Sequence, residues 1–71
     1  MKLSDLKRNQ SASILSIEES DFSLKLFEFG LLPDAEISII NKAPFNGPIY
    51  VSVGQNLISL RREEASTVFV K

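Results

Sequence analysis

The chain is 71 residues long, with 44% hydrophobic and 24% charged residues, a formal net charge of −1, and neither cysteine nor histidine. Its length and composition predict one globular domain, 1–71, whose hydrophobic core is near the smallest that is stable unaided, and they argue against disorder. The missing residue types exclude disulfides and the usual zinc sites, and the near-neutral charge gives no general basis for binding nucleic acid.

The first two predicted elements are a strand and a short helix. Apolar and polar residues alternate around residues 13–18, which predicts a strand. A side-chain oxygen of Ser20 or Asp21 can accept from the free N–H groups of a following helical turn. Gly30 is typical of the left-handed residue that ends a helix, and Pro33 prevents its continuation. We therefore predict a helix of about eight to ten residues.

The aromatic residues of the predicted helix fall on two sides. One stripe follows the i, i+4, i+7 spacing of a buried face, and its members are Phe22, Leu26 and Phe29. Phe27 lies off this stripe. It either packs with Leu24 and Leu31 on a second buried side or is exposed, and the sequence leaves both interpretations open.

The rest of the chain is predicted to be mostly extended. Period-two alternation indicates strands with one buried and one wet face near residues 36–39, 49–53, 58–60 and 68–70. Residues 62–65 favour a single helical turn. The whole pattern predicts a mainly β fold, a small and partly open five-stranded barrel with one short α-helix after the first strand.

The turn between the third and fourth strands has two possible registers. A type II′ turn at Gly54-Gln55 pairs Val53 with Asn56. A turn at Gln55-Asn56 pairs Val53 with Ile58 instead. Both registers keep the apolar residues on one face, so the sequence does not decide between them.

The residue types predict that the protein is not an enzyme and uses no cofactor. Serine is plentiful, but there is no histidine to accept a proton from it. The neighbouring carboxylates Glu18-Glu19 and Glu63-Glu64 diverge on a strand or a helix, so neither pair forms an acid–base dyad. Three isolated glycines make no phosphate-binding loop.

The densest acidic cluster contains the only candidates for metal binding, Glu18, Glu19 and Asp21. Without imidazole or thiolate, a metal would be held by carboxylates and carbonyls, which suit hard or weakly bound divalent ions. The spacing is not that of a calcium loop. A solvated surface cluster is therefore the favoured interpretation, and these residues are weak metal candidates.

Binding of a partner protein is the function that the remaining side chains favour. The candidate contact residues are Phe27, Phe45, Arg61 and Arg62. Phe45 lies at the tip of a turn-forming loop, residues 44–48, and exposed aromatic side chains are typical interface anchors. The alternative for Phe45 is that it folds over an end of the barrel. For either arginine taken alone, the favoured interpretation is a surface salt bridge to Glu63 or Glu64, which contributes little stability.

The chain carries no sign of membrane insertion or export. No apolar run approaches the roughly 20 residues that cross a bilayer, and the N-terminus lacks the apolar core of a signal peptide. Together with the absence of cysteine, this predicts a cytoplasmic location.

Three ordered segments resemble the FeoA family, small cytoplasmic accessory proteins of the bacterial ferrous-iron uptake system. The matching residues are Leu26, Glu28, Gly30, Leu31 and Pro33, then Ala43, Pro44 and Pro48, then Leu60, Arg61, Glu64 and Ala65. The chain departs from the family pattern at Asp34, where the family has glycine, and at Asn46-Gly47, where it has Gly-Asp. Asp34 tolerates the positive φ of such a turn less readily than glycine does.

The resemblance implies a fold and a partner. The fold is an SH3-like barrel, in agreement with the five predicted strands. The partner is the membrane iron permease of the same system, whose cytoplasmic portion begins with a GTP-binding domain. The chain would then be a non-enzymatic accessory protein that binds this domain. An arginine-finger role for Arg61 or Arg62 is not favoured, because Arg61 matches a family position that is explained by structure alone.

A second interpretation comes from the regulators of the diphtheria-toxin-repressor type. Their C-terminal module has the same domain type and can lend carboxylate ligands to a transition metal. The chain would in that case be a metal-responsive module. The absence of a helix-turn-helix segment and the start at Met1 favour the free-standing accessory protein.

Overall fold

The computed structural model describes residues 1–71 as five strands, two short α-helices and an N-terminal 3₁₀ turn. In chain order these are the 3₁₀ turn Leu3–Asp5, β1 (Ser11–Ile17), α1 (Ser23–Glu28), β2 (Glu36–Lys42), β3 (Ile49–Val53), β4 (Asn56–Leu60), α2 (Arg62–Ala65) and β5 (Val68–Val70). The strands form one antiparallel sheet in the order β4-β3-β2-β1-β5. This confirms the predicted mainly β architecture. Neither helix has the length and apolar character that crossing a membrane would require.

The core lies on the inner face of the curved sheet and follows the period-two pattern of the strands. In β3, Ile49, Val51 and Val53 are buried, whereas Tyr50 is exposed and Ser52 is only partly covered. Fourteen buried apolar side chains form a single cluster. Their burial is the main term that stabilises so short a chain, at roughly 1.5–3 kcal/mol for each large side chain.

The N-terminal segment belongs to this core, which the sequence patterns did not indicate. Leu3 is fully buried and Leu6 is 4% exposed. Lys2 forms a β-bridge with Phe69, and the Val70 N–H donates to the Met1 carbonyl at 2.8 Å. Residues 1–2 therefore cover the outer edge of β5, which leaves β4 as the free edge of the sheet.

The hairpin between β3 and β4 adopts the first of the two registers considered. Val53 pairs with Asn56, and Val51 pairs with Ile58. Gly54 has a φ of +59° while Gln55 lies outside the left-handed region, the pattern of a type II′ turn.

Helix α1 is shorter than predicted, with six residues. The Ser20 hydroxyl accepts from the Phe22 N–H at 3.1 Å, and the Ser23 hydroxyl donates to the Ser20 carbonyl at 2.9 Å. Ser20 thus forms a turn ahead of the helix rather than the cap itself, and the first helical residue is Ser23. This turn uses the residues that the prediction assigned to the first part of the helix.

The end of α1 is formed as predicted by Gly30, whose φ is +93°. The Gly30 N–H donates to the Phe27 carbonyl and the Leu31 N–H to the Leu26 carbonyl, both at 3.0 Å. This pair of bonds is a Schellman motif, and it satisfies carbonyls that the helix leaves free. Leu26 and Leu31 are both fully buried, so the motif also joins α1 to the core.

Candidate partner-binding site

The loop between β2 and β3 is a tight turn that displays Phe45. The Gly47 N–H donates to the Pro44 carbonyl at 3.1 Å. Phe45 and Asn46 both have a φ of +59°, as the two central residues of a type I′ turn do. Glycine and asparagine adopt this conformation readily, but a bulky side chain such as phenylalanine is uncommon there.

Phe45 gains no packing energy in return for this conformation, because 98% of it is exposed. A non-glycine residue held in the left-handed region costs on the order of 1–3 kcal/mol, and such residues concentrate at binding sites. An exposed aromatic in a strained turn is therefore the most unusual local feature of the molecule. The prediction that Phe45 lies at a loop tip agrees with this geometry, whereas the alternative in which it folds over an end of the barrel is wrong. Its role in binding stays a prediction.

Arg62 fastens both sides of the loop to the start of α2. Its Nε donates to the Gly47 carbonyl at 2.9 Å and its Nη2 donates to the Ala43 carbonyl at 3.2 Å. A Cβ added at Gly47 would lie 2.8 Å from the Ala43 Cβ, so the loop closes tightly enough to require glycine there. The planar guanidinium suits this bridging role because its N–H groups point in fixed directions.

The predicted salt bridges from the arginines to Glu63 or Glu64 are wrong. The Arg62 guanidinium donates to two loop carbonyls instead, and the Arg61 guanidinium makes no ion pair. Arg61 is exposed beside the loop, on a hollow of about 370 Å³ whose lining also includes Asn46 and Ser59. Of the two arginines, Arg61 is the one whose charged group is free to meet a partner.

Glu64 connects the two helices and caps the start of α2. Its Oε1 accepts from the Arg61 N–H at 2.9 Å, and its Oε2 accepts from Lys25 Nζ at 2.7 Å. Burial of the carboxylate by itself would raise the pKa of Glu64. The hydrogen bonds from Lys25 and Arg61 and their positive charges outweigh that effect and lower its pKa below the usual value.

Phe27 lies apart from the loop, on a separate part of the surface. It is 41% exposed and borders a hollow of about 390 Å³ lined by Ile17, Glu19 and Ser23. This hollow shares no residue with the one beside the loop. Leu31 is buried but Leu24 is 68% exposed, so the alternative in which all three side chains pack on a second buried side is wrong.

The other motif residues form the framework of the fold. Leu26, Leu31, Leu60 and Ala65 are fully buried, whereas Glu28, Pro33 and Pro44 are exposed and Ala43 and Pro48 are partly covered. Asp34 has a φ of +71°, so it takes the left-handed conformation at the position where the family pattern has glycine.

The acidic residues do not assemble a metal site. Glu18, Glu19 and Asp21 are exposed, and no group of three or more carboxylates in the chain is placed to hold a metal ion. Metal binding at these three residues stays an untested prediction.

Comparison with known proteins identifies a family and relatives of this chain. The model of the family described as "FeoA domain" matches residues 1–71. A "Fe(2+) transport protein A/Fe(2+) transporter FeoB fusion protein" of Porphyromonas gingivalis is 31% identical over 72 residues, which cover 100% of this chain and 8% of the fusion protein. The chain therefore spans a small fraction of that relative's length.

Solved structures show the same fold. The solution structure of iron(II) transport protein A from Clostridium thermocellum has 38% identity and a TM-score of 0.93, and it aligns over 100% of this chain and 44% of its own. Stenotrophomonas maltophilia FeoA, described as an SH3 domain protein and crystallised with zinc, has 30% identity and a TM-score of 0.90, over 100% of this chain and 89% of its own. The barrel is therefore SH3-like.

The fold also occurs in a class of regulators. A manganese-dependent transcriptional repressor has 17% identity and a TM-score of 0.90, over 99% of this chain and 40% of its own. At this identity the likeness establishes the shared fold and nothing about activity.

Proposed function

This chain belongs to the FeoA family, which is linked to ferrous-iron transport, and on that basis we propose that it is a non-enzymatic accessory protein that binds the cytoplasmic GTP-binding part of the iron permease. The fusion protein of P. gingivalis supports this proposal, because a FeoA-like segment and a transporter there share one polypeptide. A separate chain would need a binding surface to reach the effective concentration that fusion supplies.

The observation that carries the proposal is Phe45, which is 98% exposed at a φ of +59°. Interfaces gain most of their affinity from a few buried anchors, and aromatic side chains are common among them. A phenylalanine that enters a pocket of the permease would bury its whole apolar surface on binding, since none of that surface is covered beforehand.

The Arg62 bridge supports the same role by holding the loop in one shape. An anchor on a rigid loop loses less conformational entropy on binding than one on a flexible loop. Arg61 adds a free guanidinium beside the loop, suited to a carboxylate or a carbonyl of the partner. Phe27 is proposed as a second, separate contact, since it borders a different hollow.

A binding measurement with the permease's soluble GTP-binding domain tests the proposal. Phe45→Asn removes the aromatic side chain while keeping a residue that tolerates a positive φ. We expect binding at least tenfold weaker, about 1.4 kcal/mol, without loss of thermal stability. Leu32→Asn is the matched control, because Leu32 is a half-exposed apolar side chain outside the loop.

Other results would assign the contact to a different part of the surface or contradict the proposal. Loss of binding in Phe27→Glu with normal binding in Phe45→Asn would place the contact on α1. Normal binding in both variants, or no binding of the wild-type chain to the domain, would contradict the proposal. GTP hydrolysis measured with and without the chain distinguishes an effect on catalysis from docking alone.

A metal-responsive module is the second candidate. It is favoured by the relative whose structure is described as a complex with zinc. Titration of Fe²⁺ or Mn²⁺ while the amide resonances of residues 18–21 are followed tests it. Binding tighter than about 10 µM at these residues would support a direct metal role.

A further inference from the structure

Strand β4 is a free edge of the sheet. The flanking pair of a two-residue hairpin is hydrogen-bonded, so Asn56, Ile58 and Leu60 direct their main-chain groups to β3. Leu57 and Ser59 direct theirs away from β3, and neither residue makes a main-chain hydrogen bond outside the β3–β4 ladder. The edge therefore carries two free N–H groups and two free carbonyls.

This edge lacks the features that usually prevent strand pairing. Residues 56–60 contain no lysine, no proline and no charged side chain. Leu57 is 79% exposed, and it borders an outward-facing hollow of about 250 Å³ together with Ile40 and Tyr50. The other edge of the sheet, at β5, is by contrast covered by residues 1–2.

We propose that β4 pairs with β4 of a second copy of this chain, giving a two-fold symmetric dimer in which the two sheets become continuous. A two-fold axis at Ile58 places Leu57 opposite Ser59 of the second copy, and Ser59 opposite its Leu57. This register uses every free main-chain group, since both residues of each pair face the interface, and it forms four hydrogen bonds.

Neighbouring registers use these groups less well. A pairing centred on Ser59 would place Leu57 opposite Arg61, whose N–H is already bonded to Glu64 Oε1. A pairing centred on Leu57 would place Ser59 opposite Gln55, which lies in the hairpin turn. The Ile58-centred register is therefore the one that leaves no strand N–H unpaired.

Side chains on both faces of the strand suit the same register. On the outer face, Leu57 from each copy lies diagonally across from its equivalent, within reach for a long side chain. On the inner face, the half-buried Ile58 lies directly opposite Ile58 of the second copy. Each copy would thereby cover apolar surface that is exposed in the single chain.

Two features make this association weak and salt-dependent. A single pair of five-residue strands buries less than the roughly 1,000 Å² typical of stable complexes, so we expect dimers only above about 0.1 mM. Glu28 borders the open side of β4 in each copy. Because these like charges repel, added salt should strengthen the pairing.

Sedimentation equilibrium and amide hydrogen exchange between about 20 µM and 2 mM test the proposal. The expected result is a mass that rises toward twice that of the chain, with exchange at Leu57 and Ser59 slowing several-fold as the concentration rises. The Leu57→Lys variant should remain monomeric even at about 2 mM, the highest concentration measured, because a charged side chain on an edge strand opposes pairing. Leu24→Lys is the control, because Leu24 is similarly exposed at 68% but lies on α1.

The outcomes separate this proposal from the permease contact. Phe45→Asn should dimerise like the wild-type chain, since Phe45 lies outside the strand. The proposal would be overturned if the wild-type chain kept the mass of a monomer at about 2 mM, the highest concentration measured. Equal effects of the Leu57 and Leu24 variants on the mass would also overturn it. Protection of Leu57 and Ser59 by the permease's GTP-binding domain, without protection by the chain itself, would likewise overturn it in favour of a different occupant.

Discussion

Lys25 Nζ lies 2.7 Å from Glu64 Oε2 and joins α1 to α2 across 39 positions of sequence. The carboxylate side chain is 3% exposed whereas that of Lys25 is 50% exposed, so the pair has one buried and one wet end. The same carboxylate caps α2 through the Arg61 N–H. One side chain thus both caps one helix and connects it to the other, within the same helix α2 whose Arg62 holds the loop that displays Phe45.

The protein should lose stability in acid through Glu64. Because its pKa in the folded protein is lowered, its contribution is fully present above the ordinary glutamate value of 4.5 and disappears as the pH falls through the folded value. Glu64→Gln should therefore cost about 1 kcal/mol at neutral pH and little in strong acid. Thermal unfolding of both proteins between about pH 2 and 7 checks this. A difference that stays constant over this range would contradict the assignment.

Arg62 should contribute much more to stability than Arg61 does. Arg62→Ala removes two hydrogen bonds to loop carbonyls, and we expect a loss of about 1–2 kcal/mol and greater fast mobility of residues 44–47. Arg61→Ala is the neighbouring control, with a much smaller loss, since the Arg61 guanidinium has no ion-pair partner and acts on Glu64 only through its charge. Denaturant unfolding and ¹⁵N relaxation measure the two effects. Equal losses in both variants would mean that the loop is held by something other than Arg62.

Asp34→Ala should lower the stability of the protein, whereas Asp34→Gly should leave it unchanged or raise it slightly. With a φ of +71°, Asp34→Ala replaces aspartate by a residue that adopts the left-handed region less readily, at a cost of about 1 kcal/mol. Asp34→Gly should be neutral or slightly stabilising, because relief of strain is offset by the entropy of the unfolded chain. The Lys71 contact at 3.6 Å is exposed and contributes little, so Lys71→Gln should match the wild type in thermal unfolding.

Phe45 should be a residue that lowers stability while it raises affinity. Phe45→Gly and Phe45→Asn both place at this positive φ a residue that tolerates it with less strain, and neither loses packing. We therefore expect the free energy of unfolding to stay equal or to rise by about 0.5–1 kcal/mol. Chemical denaturation measures this, alongside the binding assay with the permease domain. Destabilisation by Phe45→Asn would show that the ring packs against the loop in solution, which would weaken its assignment as a displayed anchor.

Much of the fold could be predicted from local patterns. The alternation in β3, the helix end at Gly30 and the turn chemistry of residues 44–48 each depend on neighbours a few positions away, and all three appear in the structure. The hairpin register could not be predicted because both alternatives bury the same face. The predicted length of α1 was wrong because the Ser20 hydroxyl forms a separate turn ahead of the helix.

The candidate site was less predictable, because its residues are related by contacts between distant parts of the chain. Exposure of Phe45 was one of two interpretations of its place in a turn, the other being that it folds over an end of the barrel. The use of Arg62 as a bridge to Gly47 and Ala43 was not, since an adjacent glutamate is the nearer partner in sequence. The pairing of Lys25 with Glu64 had no local signal at all.

The sequence by itself determined the strands, the helix end and the resemblance to one family, since hydrophobic periodicity and turn residues act over short distances. Only the tertiary structure decided which charged groups are used internally, which edge of the sheet is free and where Phe27 and Phe45 lie relative to each other. These properties arise when the chain closes on itself. Burial then selects Glu64 as the partner of Lys25, and residues 1–2 cover one sheet edge while the other stays open.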